Sequence, residues 1–420
     1  MKPRVWALPL SALLLASIPA PQAHAAIYAF TSHTFTACST TGPAGPTAAA
    51  CRGLYSTTWD ENSSYFDVTS GIQYWTVPAT GRYYIDAYGA GGGGGYGGGG
   101  ARIADTFELT EGEIIRILVG QTQNTASTKA NAGGGGTFVI RTPFNTNGSI
   151  LIIAGGGGGA ESSTSPQSNA PGSITTSGNA GAGTVSASTS GAGGTNGSGG
   201  GAATTDNSGG GGGGFFTNGA TNTQMDNRGG YAFVNGGGGG PLGTLGNIAG
   251  GFGGGGASRN QAAGGGGAGG GGGYSGGGGG DNVVNYAGGG GGSYFANGLN
   301  INRVTATAGT NPGSNGYVTI TALARPTLTL SIAGSVSQAA KGQSILLTAT
   351  SDQIGKITYF ADGKKIPGCI NLTASVGSNT CSWKPSVQRT IKLSATLAQN
   401  NDVAAIGSLS VTIVKRTTKR

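Results

Sequence analysis

The sequence predicts an all-β protein: an antiparallel sandwich interrupted by a bundle of polyglycine II helices, then a second, immunoglobulin-like sandwich. Three observations carry this. Eleven runs of four or more consecutive glycines stand between Gly89 and Gly292. Apolar β-branched runs abut them directly: Gly133–Gly136 leads into Thr137-Phe138-Val139-Ile140, and Ile150-Leu151-Ile152-Ile153 leads into Gly155–Gly159. Past residue 325 only seven of the 90 glycines remain, and alternating strand patterns recur at short intervals.

Each glycine loses about 0.5–1 kcal/mol more than alanine on ordering, so the tract is either disordered or held by something specific. Disorder is the ordinary reading of glycine-rich sequence without a period. Collagen is excluded, because the runs are homopolymeric and almost free of proline. Polyglycine II repeats every three residues and has no internal hydrogen bonds, so such helices can pack side by side and bond laterally. Since one bond contributes only about 0.5–1.5 kcal/mol net, most glycines must bond to neighbours on several sides. The abutting strand-like runs favour the bundle, because a flexible linker has no use for them.

Residues 1–25 read as a secretory signal peptide. Lys2 and Arg4 precede the apolar Ala7–Ile18 stretch, and Ala23-His24-Ala25 is the cleavage motif. An extracellular or cell-surface protein with no transmembrane segment is expected, with a glycine-rich module over 26–323 and an Ig-like module over 324–420. The chain carries net charge +8. From Arg325 onward twelve Lys/Arg face three Asp/Glu, whereas residues 26–324 hold nine and twelve. With no nucleic-acid motif, that basicity reads as solubility or attraction to an anionic cell surface.

Four cysteines in an exported chain imply disulfides with three connectivities, and close spacing favours Cys38–Cys51 and Cys369–Cys381. The metal reading fails for want of a Cys-x-x-Cys pair, and His33, the histidine left after cleavage, is expected in solvent. Phe35 to Trp59 reads as turn-rich. Strands are predicted over 71–77 and 82–88 as a hairpin about Pro78-Ala79-Thr80-Gly81. A second pair covers 102–109 and 113–119 about Thr110-Glu111-Gly112, and a third covers 137–140 and 150–153. Residues 316–321 read as a closing strand.

Several segments in this order resemble a known family. They are Cys38 to Cys51, Gly71-Ile-Gln-Tyr-Trp-Thr-Val-Pro-Ala-Thr80, Phe107-Glu-Leu-Thr-Glu-Gly112 with Ile117-Leu-Val-Gly-Gln121, and Ile150-Leu-Ile-Ile-Ala-Gly155. The series is similar to the extracellular glycine-rich domain of the anaplastic lymphoma kinase and leukocyte tyrosine kinase receptors, over about residues 30–322. The resemblance implies a jelly-roll, tumour-necrosis-factor-like sandwich carrying polyglycine II helices, and a protein ligand. Kinase activity does not carry over, since no His-Arg-Asp, Asp-Phe-Gly or Val-Ala-Ile-Lys stands in the chain.

Residues 325–420 predict strands over 328–332, 344–350, 355–360, 390–396 and 406–413, with a tight turn at Asp362-Gly363. Ile357-Thr-Tyr-Phe-Ala-Asp-Gly-Lys364, with Trp383 after the second cysteine, resembles bacterial Ig-like repeats of surface proteins. Trp383 is expected to fill the core rather than bind a ligand.

No residues stand in the spacing of a P-loop, a triad or a carboxylate pair, so neither a cofactor nor an enzyme is expected. Two groups are candidates for ligand binding. Glu108, Glu111 and Glu113 surround the second predicted turn, at positions matching an acidic hairpin in the receptor family; the alternative is a solvated turn. Tyr96, Phe215, Phe216, Phe252, Tyr274, Tyr294 and Phe295 edge the glycine runs, as an adhesive face or as caps on the bundle. The expected function is non-catalytic binding of a protein or glycan on a cell surface. A structural envelope or matrix protein is the alternative, and either is compatible with a homo-oligomer.

Overall fold

The computed structural model describes residues 26–420 except 124–129, 161–167, 183–189, 205–206, 223–225, 227, 244–246, 260–265, 283–286, 297, 300–302, 306–308, 336, 400–401 and 417–420. The expected signal peptide lies outside the described residues. Before the long glycine tract the chain forms β1 (Ser32–Phe35), α1 (Ala48–Tyr55), β2 (Phe66–Thr69), β3 (Ile72–Thr76), β4 (Gly81–Tyr88), β5 (Arg102–Leu109), β6 (Ile114–Leu118), β7 (Thr137–Arg141) and β8 (Ile150–Ala154). Short strands β9 (Asn247–Ile248), β10 (Ser258–Arg259), β11 (Tyr294–Phe295) and β12 (Val304–Thr305) follow, and β13 (Tyr317–Leu323) closes the sandwich.

One sheet runs β1-β13-β4-β5-β12 and the other β11-β8-β7-β6-β3-β2, each antiparallel throughout. Between them lie Phe35, Trp75, Tyr83, Ile85, Ile103, Phe107, Ile117 and Ile320, all buried. Two of the three expected hairpins are therefore corrected. β3 pairs with β2 and β6, and β4 with β5 and β13, so Pro78–Gly81 crosses from one sheet to the other. Thr110–Gly112 makes the same kind of crossing between β5 and β6; of the three expected pairs, that of β7 with β8 forms. A corner spanning the ~10 Å between sheets uses the same Pro/Gly/Thr residues as a hairpin, and local alternation does not distinguish them. The two corners are tied together, with Val77 N–H donating to Glu113 O and Gly112 N–H to Val77 O (2.8 and 2.9 Å).

The segment that reads as turn-rich, Phe35 to Trp59, contains α1. Thr47 caps it by accepting the Ala50 N–H, and Ser56 ends it in the left-handed region (φ 51°). The helix buries Cys51, bridged to Cys38.

The glycine tract is ordered by a rule of three. Gly156 donates to Gly272 O and Gly159 to Gly269 O, while Gly157 and Gly158 turn to Ala90 and Ala170. Gly269 and Gly272 donate to Asn131 and Gly134, and Gly270 and Gly273 to Gly210 and Gly213. In the run 209–214 the pairs are complete: Gly209/Gly212 to Gly280/Gly277, Gly210/Gly213 to Ala257/Gly254, Gly211/Gly214 to Ala220/Thr217. Residues i and i+3 thus address one neighbour and the two between address others, as a threefold helix requires. Constant sums mark antiparallel neighbours and constant differences parallel ones, and the lattice contains both.

Approach is so close that a methyl group at Gly212 would strike the Gly271 carbonyl oxygen, and one at Gly279 that of Gly209. Where runs end, polar side chains take over the amides. Asn131 Nδ2 donates to Ala160 O (2.8 Å), and Ser293 Oγ accepts from Gly155 N–H (3.0 Å) while donating to Ser173 O (2.6 Å).

The lattice lies against the outer face of the six-stranded sheet. Leu118, Phe138, Ile140 and Ile153 there meet Phe215, Phe233, Phe252 and Tyr274 from the glycine tract. β8 is therefore buried on both faces, which explains its unbroken apolar run.

The C-terminal residues form a second sandwich around a separate core that includes Leu347, Ile357, Tyr359, Leu393 and Leu397. Its strands are β14 (Leu328–Ile332), β15 (Gln338–Ala340), β16 (Ile345–Ser351), β17 (Gly355–Ala361), β18 (Lys364–Lys365), β19 (Leu372–Ala374), β20 (Gly377–Trp383), β21 (Thr390–Gln399) and β22 (Asp402–Val414). They form β14-β16-β20 facing β15-β22-β21-β17-β18, with β19 also on β17. The second bridge is Cys369–Cys381. Trp383, expected inside, is half-buried and packs against the edge of this core.

Candidate functional site

The acidic trio is largely occupied by arginine. Glu108 Oε1 accepts from Arg82 Nε (2.9 Å) and Oε2 from Arg325 (3.2 Å). Arg141 clamps both oxygens of Glu113 (2.7 and 3.2 Å) and donates to Glu108 O (3.1 Å). Arg82 is buried and reaches on to Gln399 Oε1 (2.7 Å). Only Glu111 makes no ion pair among the described residues; its N–H is held by Thr80 Oγ1 (3.0 Å) at the corner. The trio thus sits at paired sheet corners rather than at a hairpin tip. Two of its three carboxylates serve to join strands.

The glycine-edge aromatics divide. Phe215 is completely buried and stacks on Phe233 at 5.3 Å and 8°. Phe252 and Tyr274 are buried with it, and Tyr274 OH donates to Asn147 Oδ1 (3.0 Å). Phe216, Tyr294 and Phe295 are half-buried, while Tyr96 stands exposed. As a ligand contact Phe215 is corrected: a ring with no accessible surface joins lattice to sheet.

A concavity lies elsewhere, a groove of about 570 Å³ between the first disulfide loop and the lattice. Pro43, Pro46 and Val68 form one wall, and Tyr231, Asn235 and Phe252 the other. Backbone bonds fix the walls to each other: Phe252 N–H donates to Gly42 O and Gly239 N–H to Pro43 O (2.6 and 2.9 Å). At its floor Gly45 and Gly71 approach so closely that a Cβ on either would meet the other's Cα. Tyr231 (40 % exposed) and, beside it in sequence, Val234 (39 %) leave apolar surface open. An apolar groove with rigid walls and a few polar tips is the usual form of a binding site. Sequence reasoning passes over it because Tyr231 stands in a five-residue segment between glycine runs that matches no binding motif.

His33 differs from expectation. Its ring packs edge-on against Tyr55, Phe35 and Trp59, at 4.4, 4.7 and 5.0 Å between centroids. Desolvation lowers its pKa to about 4, with the Asp60 charge opposing. The folded state therefore takes up its proton later than the unfolded chain, so the stability from neutral His33 is complete above about pH 6.5 and lost as pH falls toward 4. Allowing for partial exposure, the loss is about 1–2 kcal/mol. Urea midpoints at pH 7 and 4.5 should lie further apart in wild type than in His33→Phe; an equal separation in the two proteins would refute this burial.

Among the described residues no group of three or more His, Cys, Asp or Glu is placed to hold a metal, and no helix is long and apolar enough to cross a membrane. No protein-family description matches the chain. A stretch of 99 residues is 36 % identical to the mouse leukocyte tyrosine kinase receptor, covering 21 % of this chain and 10 % of that receptor. The chain thus spans a small part of the receptor it matches. Two solved structures of the CARDB domain of a Pyrococcus furiosus protein, one by NMR and one crystalline, align over their whole length with 22 % and 23 % of this chain. Their identities are 16 % and 18 %, each with a TM-score of 0.18.

Proposed function

We propose that the protein is an exported, non-catalytic binding protein in which the glycine lattice is a rigid platform and the groove beside Tyr231 receives a protein or glycan ligand at a cell surface. The observation that carries this is the pair of backbone bonds, Phe252 N–H to Gly42 O and Gly239 N–H to Pro43 O, that tie the lattice wall of the groove to the disulfide loop. Preorganised walls lose little freedom on binding, so contact surface converts efficiently into affinity. Two disulfides suit an oxidising compartment, and the likeness to a receptor segment suits ligand capture.

Purified protein should bind cells or envelope extracts, and Tyr231→Ala should weaken that binding about tenfold or more without shifting the unfolding midpoint. No binding at low salt would sink the proposal. Self-association without any partner in sedimentation would favour the structural-matrix role instead.

A further inference from the structure

The two outer faces of the C-terminal sandwich have similar texture and different charge. On β14, β16 and β20 the outward positions include Thr329, Ser331, Thr348, Thr350, Ser378 and Thr380, with no charged residue among the outward positions of those strands. On the opposite sheet, Lys356, Lys365 and Lys392 are exposed among the hydroxyls of β21 and β22. Lys365 stands across from Phe360, and Lys392 across from Ser410. Lys356 and the Asp362 position level with Lys392 are six residues apart along β17, roughly 20 Å.

Among the described residues these lysines make no ion pair; every ion pair there uses arginine, and none uses lysine. The acid beside them, Asp362, takes Arg389 (2.6 Å) and the Lys392 backbone N–H (2.9 Å). Asp352 is used at the far end of the module, accepting the Thr327 N–H (2.8 Å). Lys356 Nζ is instead braced by Thr373 Oγ1 (2.7 Å).

We infer that this face binds a linear anionic glycopolymer, holding the protein to an envelope surface while the groove remains free. The inference rests on the surface-binding reading above. Lysines spaced along one sheet face, without ion-pair partners among the described residues, are complementary to a repeating anion. Lysine supplies point charges that do not demand the planar geometry of a guanidinium partner, so phosphate and carboxylate repeats are both acceptable. The surrounding hydroxyls suit sugar hydroxyls. Nucleic acid is disfavoured because the aromatic on the face, Phe360, is half-buried and offers no stacking platform.

The test uses the full chain on immobilised polygalacturonate (carboxylate), glycerol-phosphate polymer (phosphate), neutral dextran and single-stranded DNA, each over a salt series. Binding to one or both anionic glycopolymers, and not to dextran, is expected. The arm that binds assigns the anion. K356Q/K365Q/K392Q should lower affinity about tenfold at low salt and flatten the salt slope by roughly two to three, by analogy with counterion release from nucleic acids. Lys384→Gln, in the loop that follows β20, should change neither by more than twofold. Absence of wild-type binding, an unaffected triple variant, or equal affinity for DNA would each overturn the inference. Tyr231→Ala separates the two readings: it should leave polymer binding intact, and the triple variant should keep groove-dependent binding at high salt.

Discussion

Gly212→Ala should unfold at markedly lower urea than wild type, with a loss of about 2–3 kcal/mol or failure to fold. Gly212 donates to Gly277 O and accepts from Gly200 N–H, both at 2.8 Å, and a methyl group there collides with the Gly271 carbonyl. The colliding atom is backbone held by its own lattice bonds, so no rotamer change relieves the clash. Gly53→Ala is the matched control. That residue is exposed in α1 with open space around it, and alanine should stabilise the helix by up to about 1 kcal/mol. Equal unfolding midpoints for the two variants would mean that the threads are not packed. Amide exchange across residues 209–214 checks the same point independently, and protection should match that of β7 and β8.

Phe215→Ala should cost about 3–5 kcal/mol, because it empties a fully buried site between lattice and sheet and removes the stack on Phe233. Phe215→Leu should recover part of that. The measurement decides what the ring does. A structural ring lowers the unfolding midpoint and leaves affinity per folded molecule unchanged. Reduced affinity at unchanged stability would restore it as a ligand contact.

Much of the fold was legible because its strands carry strong local signals. β7 and β8 announce themselves as unbroken apolar runs beside glycine, and the alternation of β4 places Tyr83, Ile85 and Ala87 on one face. Sheet membership was not legible. Pro78–Gly81 looks alike whether it turns a hairpin or a sandwich corner, and the choice depends on which distant strand pairs with Ile72–Thr76. α1 was hidden because its Thr47 cap follows two Gly-Pro pairs that read as turns.

The candidate site was less visible still. Glutamates near a turn look available until Arg82 and Arg141, distant in sequence, are seen to pair with two of them. The groove is assembled from residues 43–48, 68–71 and 231–238 with Phe252, and no local pattern joins those segments. The lattice itself was anticipated from the strand-like runs that abut the glycine, but which threads address which emerges only from the pairing of distant runs.

That addressing constrains how such a chain can change length. Deleting a single glycine from the run 209–214 would rotate everything beyond it by about 120°, aiming each later amide at the wrong neighbour. Removing three restores the phase and shortens the thread by one complete step. Gaps within these runs, compared among descendants of a common ancestor, should therefore fall in triplets, as they do in a coding frame.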